Sequence, residues 1–220
     1  MKTTKLLTRS WCIVLSMILF ISCKKEYITN YYSSCTTASN NSTYHFPINT
    51  GSYWIYEENE VDPLGNVVNH LCTDSTIVTG DTIIGNSTFK IIRTFSLQGS
   101  SVNSANYFPK FLRDSLGFIV DPYGQFLDQS DFTTVYHYNI TGFSIDAQLF
   151  RISNAVNTPA GIFSVIDLQK KYFPNDPNYP YGIRTGHEMY ADSVGLIRST
   201  LFFYSGPNPF ERRLIRYNIN

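Results

Sequence analysis

The 220-residue sequence predicts an all-β protein, an antiparallel meander that forms a curved half-barrel or a sandwich. Three observations lead there. From Pro47 onward, short apolar or alternating runs are separated by turn chemistry. No long amphipathic helical period interrupts them. Aromatic residues make up 15% of the chain and are spread along it, which suits strands more than helices.

Taken in order, "SYWIYEENEV" and "VVNHLCTDSTIV" flank "DPLGN", where Pro63 presets φ and Gly65 accepts positive φ, so a hairpin is expected. "STIVTGDTIIGNSTFKIIRTF" carries turn signals at Gly80-Asp81 and at Gly85-Asn86, with β-branched runs between them. "KFLRDSLGFIVDPYGQF" bends at Asp114 to Gly117 and again at "DPYG"; a short helix over 108–116 is the alternative there. "FTTVYHYNI", "FSIDAQLFRI" and, after "NTPAG", "IFSVIDLQKKYF" follow as strands. "GHEMYA", "GLIRSTLFFY" and "ERRLIRYNI" complete the set, with "SGPNP" as the last turn. Ten to twelve strands are expected in one domain, residues 47–220.

The N-terminus has a different grammar. Lys2, Lys5 and Arg9 precede an uncharged apolar run from Trp11 to Ile21, too short to span a bilayer but the right length for the core of an export signal. The run ends Phe20-Ile21-Ser22-Cys23, which resembles the lipobox of bacterial lipoproteins. That resemblance implies a diacylglycerol on the Cys23 sulfur, cleavage after Ser22 so that 1–22 is removed, acylation such as palmitate on the new amino terminus, and a lipid anchor in the membrane. A plain secretory signal with an incidental cysteine, or an uncleaved anchor, is the alternative. Lys24 stands where an aspartate would, by the same resemblance, retain the protein in the inner membrane, so the outer membrane is expected, at its periplasmic face or at the cell surface. Residues 23–46, rich in Ser, Thr, Asn and Tyr after the cysteine, read as the lipidated residue and a polar tether. As a flexible coil such a tether reaches about 25–30 Å.

Three basic residues and no acidic ones lie in 1–22, leaving 14 Lys and Arg against 17 Asp and Glu, a formal charge of −3 for the mature chain. No basic patch is apparent, and nucleic acid is not expected as a partner. Cys35 and Cys72 are the cysteines left besides Cys23. In an oxidising compartment they either pair, constraining the unfolded chain by about 4 kcal/mol, or remain two buried thiols. The four histidines are scattered, so no metal site and no cofactor is expected.

"GSYWIYE", "TPAGIFSVIDL" and "YADSVGLIRS" together resemble a broad group of small all-β bacterial lipoproteins and periplasmic proteins built on curved antiparallel sheets, some akin to half-barrel lipoprotein carriers. The resemblance covers most of 46–220 and implies the curved sheet and an envelope address. Its motifs are turns, not chemistry.

Catalytic signatures are missing from the sequence: there is no G-x-S-x-G elbow, H-E-x-x-H or phosphate-binding glycine loop. A non-catalytic binding or scaffolding role is therefore expected. His187 and Glu188 are adjacent, but on a strand they point to opposite faces. Asp128 and Asp131 read as a solvated turn rather than one edge of a calcium site. "KYFPNDPNYPYG" sets Tyr172, Phe173, Tyr179 and Tyr181 among prolines; such rings either contact a glycan, a peptide or an envelope protein, or fold back over an open end of the sheet. "FFYSGPNPF" offers the same two readings. Asp followed by Ser or Thr recurs at Ser75, Thr82, Ser115 and Ser193, resembling an acceptor motif for O-glycosylation of exported proteins in some bacteria, or else ordinary turn-to-strand grammar. A lipid or hydrophobic-molecule carrier using a concave sheet, and a hydrolase with dispersed carboxylates, are the alternative functions.

Overall fold

The computed structural model describes residues 47–220 except 63, 100, 102–106, 116–117, 124–125 and 129–130. Cys23, Cys35, the signal and the tether lie outside the described residues, and so does the side chain of Ser115.

Fourteen strands are present: β1 Tyr53–Val61, β2 Val67–Ile84, β3 Ser87–Gly99, β4 Lys110–Ser115, β5 Phe118–Val120, β6 Phe126–Asp128, β7 Tyr136–Ile140, β8 Phe143–Arg151, β9 Val156–Thr158, β10 Gly161–Phe163, β11 Val165–Pro174, β12 Arg184–Ala191, β13 Gly195–Phe202 and β14 Pro209–Asn218. Twelve form one antiparallel sheet in the order β6-β5-β4-β3-β2-β1-β14-β13-β12-β11-β8-β7, and β9-β10 is a separate hairpin. The sheet is thus two meanders joined at the pairing of the first strand with the last.

Chain connectivity dictates its curvature. β6 and β7 are opposite edges, yet only residues 129–135 connect them. That connection spans at most about 29 Å fully extended, whereas twelve flat strands are about 53 Å across. The edges therefore curl towards each other. No ladder joins them among the described residues, so the sheet is strongly curved but not closed into a barrel. Half-barrel, not sandwich, is the outcome.

The local chemistry explains most elements. In the β1–β2 hairpin the Asp62 carboxylate accepts from the N–H groups of Leu64 (2.8 Å) and Asn66 (2.9 Å), and Gly65 takes φ +84°. β8 alternates buried and half-buried positions without a break until its exposed last residue, as a strand with one core face should. At Gly80-Asp81 the expected turn is absent: β2 runs straight through, and Thr79 is an extra residue between the pairs Val78↔Ile92 and Gly80↔Ile91. Gly80, at φ +155°, supplies the backbone freedom such a bulge needs. The alternative helix over 108–116 does not form either; Leu112 and Lys110 pair with Lys90 and Ile92 of β3.

The core fills one end of the concavity. Trp54, Tyr56, Val78, Ile92, Val165, Ile197 and Leu214 pack together from six strands. Trp54 Nε1 donates to the Val194 carbonyl at 2.6 Å, and Tyr56 Oη donates to the Leu196 carbonyl at 2.7 Å. Ala160 N–H of the β9–β10 turn donates to the Leu214 carbonyl at 3.2 Å, which seats that hairpin on the core.

Candidate functional site

The two aromatic loops singled out in the sequence meet. Tyr179 from "KYFPNDPNYPYG" packs on Tyr204 from "FFYSGPNPF" with ring centroids 4.7 Å apart, and both lie edge-on to Phe143, each at 5.4 Å. Tyr172 and Phe202 join beneath, 4.6 Å apart. The loops are also tied by polar bonds: Tyr181 Oη donates to the Ser205 carbonyl at 3.1 Å, and the Arg184 guanidinium donates to the carbonyls of Phe203, Gly206 and Pro207 at 3.1, 2.7 and 2.8 Å. Arg184 stacks 4.4 Å from the Phe202 ring and 5.6 Å from that of Tyr181.

This arrangement separates the four candidate contact residues. Tyr179 is buried and Tyr172 and Phe173 are half-buried, whereas Tyr181 remains 37% exposed. Around Tyr181 the surface continues with Tyr204 and Ile183, at 45 and 62% exposure, while the ring of Phe203 packs on Phe210 at 5.1 Å. Asn175, Asp176 and Asn178 stand exposed in the same loop. The rings are held stiffly: Asn175 N–H donates to the Gly142 carbonyl at 3.0 Å, and Asn178 N–H to the Asp176 carboxylate at 2.9 Å. Apolar rings beside carboxamide and carboxylate groups can stack on a ligand's apolar face while bonding its hydroxyls or amides. Sequence reading missed Arg184 and Phe143, which lie outside both loops; the cation directly after "YGI" was the available hint.

A second polar constellation sits on the concave face. Arg212 of β14 forms an ion pair with the fully buried Asp74 of β2, donates to Thr76 Oγ1 at 3.0 Å, and lies 3.8 Å over the Tyr56 ring. Glu58, also buried, accepts from Ser101 Oγ at 2.7 Å and from the Cys72 thiol at 3.5 Å. Burial pushes the Asp74 carboxyl up against the pull of Arg212. Burial, with the charge of Glu58, pushes the Cys72 thiol up to about 12. Further round the same face Lys170 pairs with Glu188, whose other oxygen accepts from Tyr190 Oη at 2.9 Å. Lys110 of β4 keeps an exposed side chain inside the curl, where crowding by neighbouring strands, Arg212 and Lys170 together lower its pKa.

Glu58, Cys72 and Asp74 offer donor atoms within 4.8 Å of one another. They do not fit a metal: Arg212 already supplies the cation, and the thiol is held in its protonated form. The two carboxylates are as close as an acid–base pair would need, but both are buried and already bonded. Cys72 has no disulfide partner among the described residues, and Cys35 lies outside them.

The remaining candidates are dispersed. His187 bonds Asp167 at 2.8 Å while Glu188 bonds Lys170, on opposite faces of β12. Asp131 accepts from Thr133 and Thr134 in a tight turn, which starts β7 later than "FTTV" suggests. Ser193 is exposed on the β12–β13 turn at φ +57°, Thr82 is half-buried on β2, and Ser75 is half-buried between β1 and β3.

No protein-family model matches the chain, and no curated protein matches it. Two solved structures are similar. A candidate lipoprotein from Parabacteroides distasonis ATCC 8503 is 14% identical, with a TM-score of 0.47 over 81% of this chain and all of its own. A candidate exported protein with a YmcC-like fold from Bacteroides fragilis NCTC 9343 is 14% identical, with a TM-score of 0.44 over 80% of this chain and all of its own. Likeness at this level carries no inference for this chain.

Proposed function

We propose that the chain is an envelope lipoprotein, acylated at Cys23 and tethered to the outer membrane by 24–46, whose β domain is a non-catalytic glycan-binding module. The observation that carries the binding half is the convergence of both aromatic loops on one end of the sheet, with the exposed rings of Tyr181 and Tyr204 fixed on a buried aromatic base. Stiff rings lose little entropy on binding, and the neighbouring Asn and Asp side chains suit sugar hydroxyls. The carrier reading draws no comparable support, because the concave face is packed with core residues at one end and lined with paired charges at the other. A non-catalytic role is supported by the burial of Glu58 and Asp74, bonded to Ser101 and to Arg212 respectively.

The test has two arms. Metabolic labelling with an alkyne fatty acid should mark the native protein and fail on a Cys23→Ala chain. A glycan array probed with the purified protein should show selective binding; a blank array beside a specific protein partner in pull-downs would move the reading to protein recognition, and blank results in both would remove it.

A further inference from the structure

Tyr181 and Tyr204 both keep exposed ring surface and both pack on Tyr179, but in different ways. Tyr181 meets that ring edge-on, at 82° and 5.4 Å, whereas Tyr204 is tilted at 47° and 4.7 Å. They are two platforms, not one. Their centres can be no farther apart than those two distances laid end to end, and Tyr181 Oη bonds the carbonyl of Ser205, the residue next to Tyr204. A pyranose ring is about as wide as a tyrosine ring, and its C–H face stacks on one such ring. Neighbouring platforms therefore suit consecutive units of a chain, and a lone monosaccharide engages only one of them.

The charge around these rings is one-sided. Residues 141–142, 175–183 and 203–208, the loops that build this end, contain a single charged residue, Asp176. It is exposed, and one of its oxygens accepts from Asn178 N–H at 2.9 Å. Glu60 adds a second carboxylate, accepting from Asn208 Nδ2 at 2.7 Å. Arg184 is the cation beside the rings, but its guanidinium is half-buried and turned onto three loop carbonyls. Lys171 lies on the face of β11 opposite Tyr172. An anionic sugar would thus meet a carboxylate and find no open guanidinium fork, whereas hydroxyls can donate to Asp176. We propose, resting on the glycan reading above, that this site takes a run of at least two uncharged sugar units and disfavours uronate-bearing, sialylated and sulfated chains.

A glycan array carrying neutral, uronate-bearing, sialylated and sulfated chains of one to six units, followed by calorimetry on the full chain, tests it. Neutral chains of two or more units should bind, and the matching monosaccharide should be at least about tenfold weaker. Oxidising the primary hydroxyls of the best neutral ligand to carboxylates should weaken it at least about fivefold at low salt, and the gap should narrow in about 0.5 M salt. Asp176→Asn should narrow the same gap, a ratio within one variant that a general loss of affinity does not disturb. The salt comparison reads the repulsion even if that variant does not fold. Anionic chains that bind as tightly as neutral ones, and weaken in Tyr181→Ala, would leave the glycan reading standing and overturn this inference. A monosaccharide as tight as its trisaccharide would overturn the two platforms. A blank array would remove the glycan reading and this inference with it.

Discussion

Arg212 reaches over the ring of Tyr56, across the whole width of β1, to the buried carboxylate of Asp74 on β2. The contact bridges the seam where the N-terminal and C-terminal meanders join, and it links residues 138 apart in sequence. Glu58, directly opposite Arg212 in the β1–β14 register, places a second buried carboxylate beside the first.

Removing Arg212 therefore strands two neighbouring carboxylates. Arg212→Met should cost about 3–5 kcal/mol of unfolding free energy, the range for an uncompensated buried charge. Asp74→Leu should cost less, because Arg212 still has Glu58 beside it, and the double variant Asp74→Leu/Arg212→Met should recover part of the Arg212→Met loss. Urea denaturation of the three variants reads this; strictly additive losses would mean that the pair is not coupled.

Lys110 gives a pH signature. Its pKa is lowered in the folded chain by crowding, then by Arg212 and Lys170, with Glu188 and Asp74 pulling the other way. A lowered lysine pKa means the folded state binds fewer protons than the unfolded one between the folded value and the ordinary value of 10.5. The lysine's stabilising contribution is thus present above 10.5 and lost as pH falls through the folded value. Lys110→Met should be more stable than wild type at pH 7, and the gap should shrink towards pH 10.5. A gap that does not change with pH would contradict the crowding of the ammonium.

Cys72 should be chemically silent in the folded protein. Its thiol, pushed up to about 12, is almost wholly protonated at pH 8, and it is fully buried. Iodoacetamide followed by peptide mapping should find Cys72 unmodified in native protein and modified in 8 M urea. Rapid native alkylation would show that Cys72 is accessible.

Tyr179 is a packing residue by geometry, with a buried hydroxyl that has no hydrogen-bond partner among the described residues. Tyr179→Phe should match or exceed wild-type stability, whereas Tyr179→Ala should lose about 3–5 kcal/mol. Gly142→Ala should loosen the same end, since Gly142 has φ +87° and an added Cβ would lie 3.1 Å from the Tyr204 ring. Thermal melts of the three variants rank these effects, and a strong loss in Tyr179→Phe would contradict the packing role.

These residues also show what the sequence could carry. The Asp62 hairpin was legible because its determinants are five residues long and bond one another. Gly80-Asp81 misled for the complementary reason: locally it reads as a turn, but pairing with β3 on both sides of Thr79 turns the extra residue into a bulge. Both aromatic loops were visible as compositions, yet their meeting depends on β8 presenting Phe143 between them. The concave ion network was illegible, since Asp74, Lys110 and Arg212 become neighbours only once the sheet has formed and curled.

The binding of sugars by the aromatic end is tested most directly by titrating the best array glycan into wild type and into Tyr181→Ala and Tyr204→Ala chains, with circular dichroism confirming the fold. Each variant should lose affinity by about tenfold or more, in line with about 1–3 kcal/mol for truncating an interface ring, while Tyr123→Ala, a more exposed ring elsewhere, leaves it unchanged. Unaltered affinity in both folded variants would contradict the account.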